Sequence, residues 1–204
     1  MSSTHATSAT AQTLYREIPY IAFGILLNLV PAAVISALRL PVFVDASGTI
    51  VITLALGVRA GILTGVLSFL IGGITQNPVM PAFSGTQFAI AVYVHFMARR
   101  GWFRGVGRII PTGVGLGILA AIVSAPVIVG LFGGLTGNGA SLVVAFLLAT
   151  GKSVMKSVIL AGLAAEPLDK TLQCLIAYWL LKGMPKTVLA GLKKGSLRQN
   201  GFVA

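Results

Sequence analysis

The chain has 204 residues, of which 56% are hydrophobic and only 9% are charged, and its mean hydropathy is +0.94. A soluble domain carries about a quarter charged residues, so this composition excludes an ordinary water-soluble protein and predicts one that lies in a lipid bilayer. About 20 apolar residues cross the hydrocarbon core, so the length allows about six spans in one domain. The 25 glycines are typical of closely packed membrane helices.

The formal net charge is +11, from 15 Lys and Arg against 4 Asp and Glu. The basic residues lie at the ends of apolar runs, which is the positive-inside pattern of membrane proteins and not a nucleic-acid-binding face. The single cysteine, Cys174, excludes an internal disulfide and a metal site of several cysteines. We therefore expect no nucleic-acid partner and no metal.

The apolar runs predict an all-α, polytopic membrane protein. In chain order, the predicted membrane-spanning helices are 18–38, 40–58, 61–74, 85–97, 109–132 and 171–181. We expect a disordered cytoplasmic tail at 1–14, a six-helix membrane domain at 15–186 and a basic cytoplasmic tail at 187–204. A tight turn at 57–61 is predicted to join the second and third helices.

The segment 141–165 is apolar but carries Lys152 and Lys156, which are predicted to lie one helical turn apart on one face. A full span there would make seven and place the basic tail outside, against the positive-inside rule. An additional outer-face helix between the fifth and sixth spans leaves six, with both termini cytoplasmic. The basic residues predicted to be cytoplasmic are then Arg16, Arg59, Arg99, Arg100, Arg104, Arg108, Lys182, Lys186, Lys193, Lys194 and Arg198.

Polar residues at the predicted outer side form the candidate substrate-binding site. A carboxylate within hydrocarbon is costly and usually faces an interior cavity, which draws attention to Asp45. The candidates are Asp45, Gln76, Asn77, Gln87, Lys152, Lys156, Asp169 and Lys170, with Glu166 in the same polar rim. In the alternative interpretation, Glu166, Asp169 and Lys170 pair with each other and cap the last helix. Asp45 would then pair with Arg39 or with a lysine of the outer helix.

Catalytic motifs are missing from the sequence. No glycine pattern of a nucleotide-binding loop follows a strand, and no Ser/His/Asp set is plausibly arranged. His95, near the inner end of a predicted span, is more simply a packing or interfacial histidine than a metal ligand. The sequence therefore favours a protein that is not an enzyme and needs no cofactor.

Three stretches carry a resemblance to a known family. VFVDASGTIVITLALGVRAGILTGVLSFLIGG, SAPVIVGLFGG and EPLDKTLQCLIAYWLLKGMP resemble helices of the substrate-binding S components of energy-coupling factor (ECF) type vitamin transporters. The resemblance implies a six-helix protein of the bacterial cytoplasmic membrane that takes up a water-soluble vitamin or related micronutrient from outside. It also implies a transmembrane coupling subunit and two ATPase subunits as partners, with no hydrolysis by this chain itself.

The family's first helix carries a small-xxx-small motif in its cytoplasmic half, which docks the coupling subunit. Here Ala33 and Ala37 have that spacing but lie in the outer half, while Ala22 and Gly24 lie nearer the inner end without the spacing. These four residues are the candidates for docking. Two other functions compete with transport: a membrane-embedded sensor or scaffold that binds a partner protein, and an intramembrane enzyme, against which the missing catalytic set argues.

Overall fold

The computed structural model describes residues 3–40, 42–137 and 139–185, together with 188, 189, 192, 197, 200 and 202, and the side chains from residue 15 onward. These residues form α-helices and one 3-10 helix, Met80–Phe83, and contain no strand. The α-helices are α1 (Ser3–Ala37), α2 (Ser47–Leu56), α3 (Val58–Thr75), α4 (Ser84–Arg99), α5 (Val106–Phe132), α6 (Gly139–Ala149) and α7 (Val154–Gly183). The predicted cytoplasmic residues Lys186, Lys193, Lys194 and Arg198 lie outside the described residues.

Among the described residues, three helices are long and apolar enough to cross a membrane: Tyr15–Ala37 within α1, Val58–Thr75 and Val106–Phe132. Helices α2 and α6 are apolar but shorter. Large hydrophobic side chains are exposed along α1 and α5, among them Leu26 and Ile122. An all-helical chain with such surfaces is compatible with a multi-pass membrane protein.

Helix α2 is the centre of the molecule, because all ten of its residues are buried. It packs against α1, α3, α4 and α7. The helix ends at Gly57, whose φ of 99° is a backbone conformation that side-chain-bearing residues rarely adopt. Helix α3 begins at the next residue, so the turn predicted at 57–61 is a single glycine, and Arg59 lies in the first turn of α3.

Glycines allow the closest helix contacts in this core. A Cβ atom on Gly48 would meet the backbone of Gly24, and a Cβ atom on Gly61 would meet the Thr53 side chain. Helices α1 and α2 therefore approach with backbone against backbone, as small residues permit in membrane proteins.

Several predicted elements differ from the structure. The second helix was expected at 40–58, but residues 42–46 are irregular and the helix begins only at Ser47. The 141–165 segment is divided between α6 and α7, so Lys152 lies in the intervening turn and does not share a helix face with Lys156.

Helix α7 continues through Pro167, although the sequence predicted an interruption at 166–170. Its close packing on α5 explains this, since Gly113 and Gly117 of α5 leave room for Thr171 and Pro167 of α7. Neighbouring helices make a proline tolerable inside a membrane helix in this way. Asp169 therefore lies in the middle of a helix, and the hypothesis that it caps the start of the last helix is wrong.

At the other end of the chain, α1 begins at Ser3, inside the segment 1–14 where the sequence predicts a disordered tail. Several alanines in this segment are compatible with helix, because alanine has the highest helix propensity.

Replacement of Gly48 by alanine tests the close approach of α1 and α2. The added methyl group would meet the backbone of Gly24, which cannot rotate away as a side chain can. Overpacking of a filled core costs about 1–3 kcal/mol. We expect Gly48→Ala to lower the free energy of unfolding by about 2 kcal/mol or more, measured by equilibrium unfolding in mixed detergent micelles.

The matched control is Gly130→Ala in α5, where nothing lies within 4 Å of the added Cβ atom. Alanine is favoured over glycine inside a helix by about 1 kcal/mol. This variant should be as stable as the wild type or slightly more stable. Equal losses in the two variants would show that the α1–α2 contact does not require glycine.

Candidate functional site

A cavity of about 790 Å³ opens at one end of the helical domain. Seven parts of the chain form its wall. They are the end of α1, the irregular segment 42–46, α3 with the loop and 3-10 helix that follow it, the start of α4, the end of α5, the start of α6 and the middle of α7. Volumes of about 300–1,000 Å³ are typical of sites for small organic molecules. The cavity is therefore large enough for a ligand of vitamin size.

The structure brings most of the predicted site residues to this cavity. Asp45, Gln76, Asn77, Gln87 and Lys170 all line it, although they come from segments up to 125 positions apart in the chain. Asp169 lies directly behind the wall and is completely buried.

Lys152 and Lys156 do not contribute to the cavity wall and are exposed. Glu166, which the sequence placed in the polar rim, does line the cavity.

Lys170 is the centre of a buried ionic cluster. Its Nζ atom lies 3.0 Å from Asp45 Oδ1, 2.6 Å from Asp169 Oδ2 and 3.3 Å from Glu166 Oε2. The lysine side chain is only 3% exposed. Burying a charge is costly unless it is paired, and this ammonium group is paired with three carboxylates. Asp45 therefore has an ion-pair partner, but that partner is Lys170 of α7. The hypothesis that it pairs with Arg39 or with a lysine of the outer helix is wrong.

Asp169 and Gln173 attach the irregular segment 42–46 to α7. Asp169 Oδ1 accepts hydrogen bonds from the backbone N–H groups of Phe43 (3.0 Å) and Val44 (2.9 Å). Gln173 Oε1 accepts one from the N–H of Ala46 at 2.7 Å, while its Nε2 donates to Asp169 Oδ2 at 2.7 Å. Three N–H groups of the irregular segment therefore have hydrogen-bond partners without the segment joining a helix.

Val44 adopts a positive φ of 50°, which is a strained conformation for a β-branched residue. Such strain persists only where surrounding contacts over-determine it, and the hydrogen bond to Asp169 is one of those contacts. The strained backbone directs the neighbouring Asp45 side chain toward the cavity and Lys170.

A second buried polar network holds the start of α2 from the other side. The Oδ1 atom of Asn28 in α1 accepts from the N–H groups of Gly48 and Thr49, at 2.7 and 3.2 Å. Its Nδ2 donates to Thr49 Oγ1 and Ser68 Oγ, at 2.9 and 3.0 Å. All the polar atoms of this amide are therefore used, and α2 has its first N–H groups capped by another helix.

Gln87 continues this network to the cavity. Its Oε1 accepts from Thr49 Oγ1 at 2.7 Å, and its Nε2 donates to the carbonyl of Asp45 at 3.2 Å. Both ends of the amide are occupied, so Gln87 positions Asp45 as well as lining the wall.

The loop amides have partners of their own. Gln76 Nε2 donates to the Leu29 carbonyl at 3.0 Å, which ties the loop to α1, and Asn77 Oδ1 accepts from the Val79 N–H at 3.0 Å in a local turn. Their remaining atoms, Gln76 Oε1 and Asn77 Nδ2, make no hydrogen bond to a described residue and are available to a ligand.

Three phenylalanines and one hydroxyl group in the wall were not predicted from the sequence. Phe43, Phe69 and Phe83 line the cavity, and Thr86 contributes a buried hydroxyl oxygen that has no hydrogen-bond partner among the described residues. Apolar residues within long apolar runs carry no sequence signal that separates cavity wall from core. The spacing Asp169–Gln173, one helical turn on an otherwise apolar helix, was a usable signal for the α7 polar face.

The four candidates for docking a partner subunit are dispersed. Ala22 is exposed, and Gly24 is buried against Ile52 and Thr64. Ala33 and Ala37 line the cavity. In this structure Gly24 serves internal packing, and the two residues with small-xxx-small spacing line the cavity.

The carboxylates at the cavity surround a lysine ammonium group. Within the described part of the chain, no group of three or more His, Cys, Asp and Glu residues is arranged to hold a metal ion. The three clustered carboxylates are directed at the Lys170 ammonium group instead.

Asp169→Asn tests whether this carboxylate anchors segment 42–46. Removing one partner of a buried ion pair costs about 3–5 kcal/mol, because the remaining charge is left uncompensated. We expect that loss in the free energy of unfolding, together with faster hydrogen exchange at the amides of Phe43 and Val44. The measurements are equilibrium unfolding in micelles and hydrogen–deuterium exchange mass spectrometry.

Asp45→Asn is the comparison, since its side chain is 20% exposed and has one ion pair. It should cost less stability than Asp169→Asn and leave exchange at Phe43 and Val44 nearly unchanged. A larger loss for Asp45→Asn would contradict the anchoring role of Asp169.

Comparison with known proteins gives no relative for this chain. No family model matches it, and neither a curated protein nor a solved structure does. What the protein binds is therefore a question for the residues of the cavity themselves.

Proposed function

We propose that the protein is the substrate-binding membrane subunit of an uptake transporter of the ECF type, which captures a vitamin-like micronutrient from outside the cell. The observation that carries this proposal is the cavity of about 790 Å³ with its convergent polar groups. An apolar pocket with a few convergent polar groups is the usual form of a small-molecule site. The resemblance of three sequence stretches to S components supports the same class.

The helix arrangement is compatible with six spans. In this proposal α1, α2, α3, α4, α5 and α7 cross the membrane, and α6 is the additional outer helix. Helix α2 has ten residues, which rise only about 15 Å. The irregular segment 42–46 then occupies the remaining depth, and it is protected from lipid because it is attached to α7 and lines the cavity.

The proposed orientation follows from the two ends of α4. This helix starts beside the cavity and ends at Arg99, about 24 Å away for 16 residues. Arg100, Arg104 and Arg108 follow at that end, which the positive-inside rule assigns to the cytoplasm. The cavity then opens to the outside, as capture of an external nutrient requires.

A sensor or scaffold that binds a partner protein is the second candidate. It would share the membrane location but has no need of a cavity in which carboxylates, amides and aromatic side chains converge. The cavity therefore favours the small-molecule function.

A cavity-filling variant tests this function. Ala33 of α1 is half-buried in the cavity wall, so Ala33→Trp would occupy the space of a ligand. We expect a small molecule to co-purify with the wild-type protein and to be absent from Ala33→Trp. The measurement is solvent extraction of the purified protein followed by mass spectrometry, quantified per mole of folded protein.

Ala22→Trp is the matched control, because Ala22 lies on the same helix, is exposed and is not part of the cavity wall. It should retain the molecule at the wild-type level. If Ala33→Trp retains as much as the control, or if the wild type carries nothing beyond a detergent blank, the proposal is contradicted.

Cysteine labelling tests the orientation, on a Cys174→Ala background because Cys174 is the single cysteine. Lys152→Cys lies in the exposed turn between α6 and α7, and Gly107→Cys lies near the arginine-rich end. In intact cells, a membrane-impermeant maleimide should label Lys152→Cys but reach Gly107→Cys only after permeabilisation. The reverse pattern would place the cavity on the cytoplasmic side.

A further inference from the structure

The cavity is acidic in a strongly basic protein. The chain carries 15 Lys and Arg but only 4 Asp and Glu, and three of those four carboxylates, Asp45, Glu166 and Asp169, lie at the cavity wall or directly behind it. Among the described residues, Lys170 is their single ion-pair partner. The buried part of the site therefore holds three carboxyl groups against one ammonium group.

The charge of Lys170 is already compensated by carboxylates. Its ammonium group donates hydrogen bonds to Asp45 Oδ1 and Asp169 Oδ2, and Glu166 Oε2 lies within ion-pair distance at 3.3 Å. An anionic ligand at Lys170 would have to lie beside these carboxylates, which repel it, or displace one of them and leave it buried without its counter-charge. Arg39 also lines the cavity, but it is exposed, so water solvates its charge.

Two of the three carboxylates keep accepting capacity toward the cavity. Asp169 is fully used, with two backbone donors on Oδ1 and two side-chain donors on Oδ2. Asp45 contacts Lys170 through Oδ1, and its Oδ2 accepts from no described residue. Glu166 makes this one ion pair, and its buried Oε2 has no hydrogen-bond partner.

Other features of the same wall indicate a ligand that has both a polar and an apolar part. The buried hydroxyl of Thr86 lines the cavity without a partner, and a buried polar atom normally has one. Phe43 and Phe83 line the cavity, and Lys170 Nζ lies 5.6 Å from the Phe43 ring centroid. Aromatic faces attract cations as well as apolar groups.

Resting on the proposed small-molecule function, we infer that the cavity takes an organic cation: a ligand with a protonated or quaternary nitrogen beside Asp45 and Glu166 and a planar apolar part beside the phenylalanines. Such a ligand supplies the positive charge that the ionic cluster lacks. A bare metal ion fits neither the volume nor the arrangement of the carboxylates.

Three probes with the same ring and different charge test this inference on the full-length protein in micelles. They are phenethylammonium, 2-phenylethanol and phenylacetate, titrated by ligand-observed nuclear magnetic resonance with empty micelles as the blank for partitioning. We expect phenethylammonium to bind about tenfold or more tightly than 2-phenylethanol, because the alcohol can donate a hydrogen bond to a carboxylate but carries no positive charge. Phenylacetate should bind weakest.

Variants locate the cation. Asp45→Asn and Glu166→Gln should each weaken phenethylammonium binding by about tenfold to a hundredfold and leave 2-phenylethanol unchanged. Glu17→Gln is the matched control, since Glu17 is the fourth carboxylate and lies about 22 Å along α1 from the cavity residue Ala32. It should bind all three probes as the wild type does. The ranking of the three probes is measured on the wild-type protein, so this part of the test does not depend on whether the variants fold.

The failures of the two proposals are distinguishable. Equal binding of the three probes, or tighter binding of phenylacetate, overturns the cationic ligand but leaves a small-molecule cavity. Absence of binding by all three probes on the wild type also overturns it, and so does a co-purified molecule without a basic nitrogen. The proposed function fails separately, if Ala33→Trp retains as much extracted molecule as Ala22→Trp.

Discussion

The attachment of the irregular segment 42–46 to α7 is the contact on which the rest of the site depends. Asp169 and Gln173 bind the backbone of this segment across more than 120 positions of sequence, and Lys170 binds the Asp45 side chain. Without these contacts, the unpaired N–H groups of the segment would be buried at high cost. Segment 42–46 forms part of the cavity wall, so the same interactions that stabilise the fold shape the site.

Helix α2 connects the attachment of segment 42–46 to α7 with the hydrogen bonds made by α1 and α4. Asn28 holds the first N–H groups of α2 from α1, while Gln87 binds Thr49 and the carbonyl of Asp45 from α4. Three helices, α1, α4 and α7, thus converge on residues 45–49 with complementary hydrogen bonds. Fully satisfied buried polar networks rigidify a core. A preorganised cavity pays less conformational entropy when a ligand binds.

The site was partly predictable from the sequence. Asp45 was found because a carboxylate in an apolar run needs a partner or a cavity, and here it has both. Lys152 and Lys156 were grouped with Asp45 because the predicted topology placed all three on the outer side of the membrane. In the structure the two lysines lie outside the cavity wall. Lys170 and Asp169 were grouped for the same reason and do belong, since α7 continues through Pro167 and directs both toward segment 42–46.

By itself, the sequence determined that the chain is helical and apolar enough for a bilayer, with its basic residues at helix ends, because hydropathy and charge are properties of local windows. The tertiary structure alone decided that three of the four carboxylates meet at one lysine, that α2 is only ten residues long and that a cavity remains among them. These features arise from contacts between distant helices. Their geometry is set by glycines at the crossings, which no local window reveals.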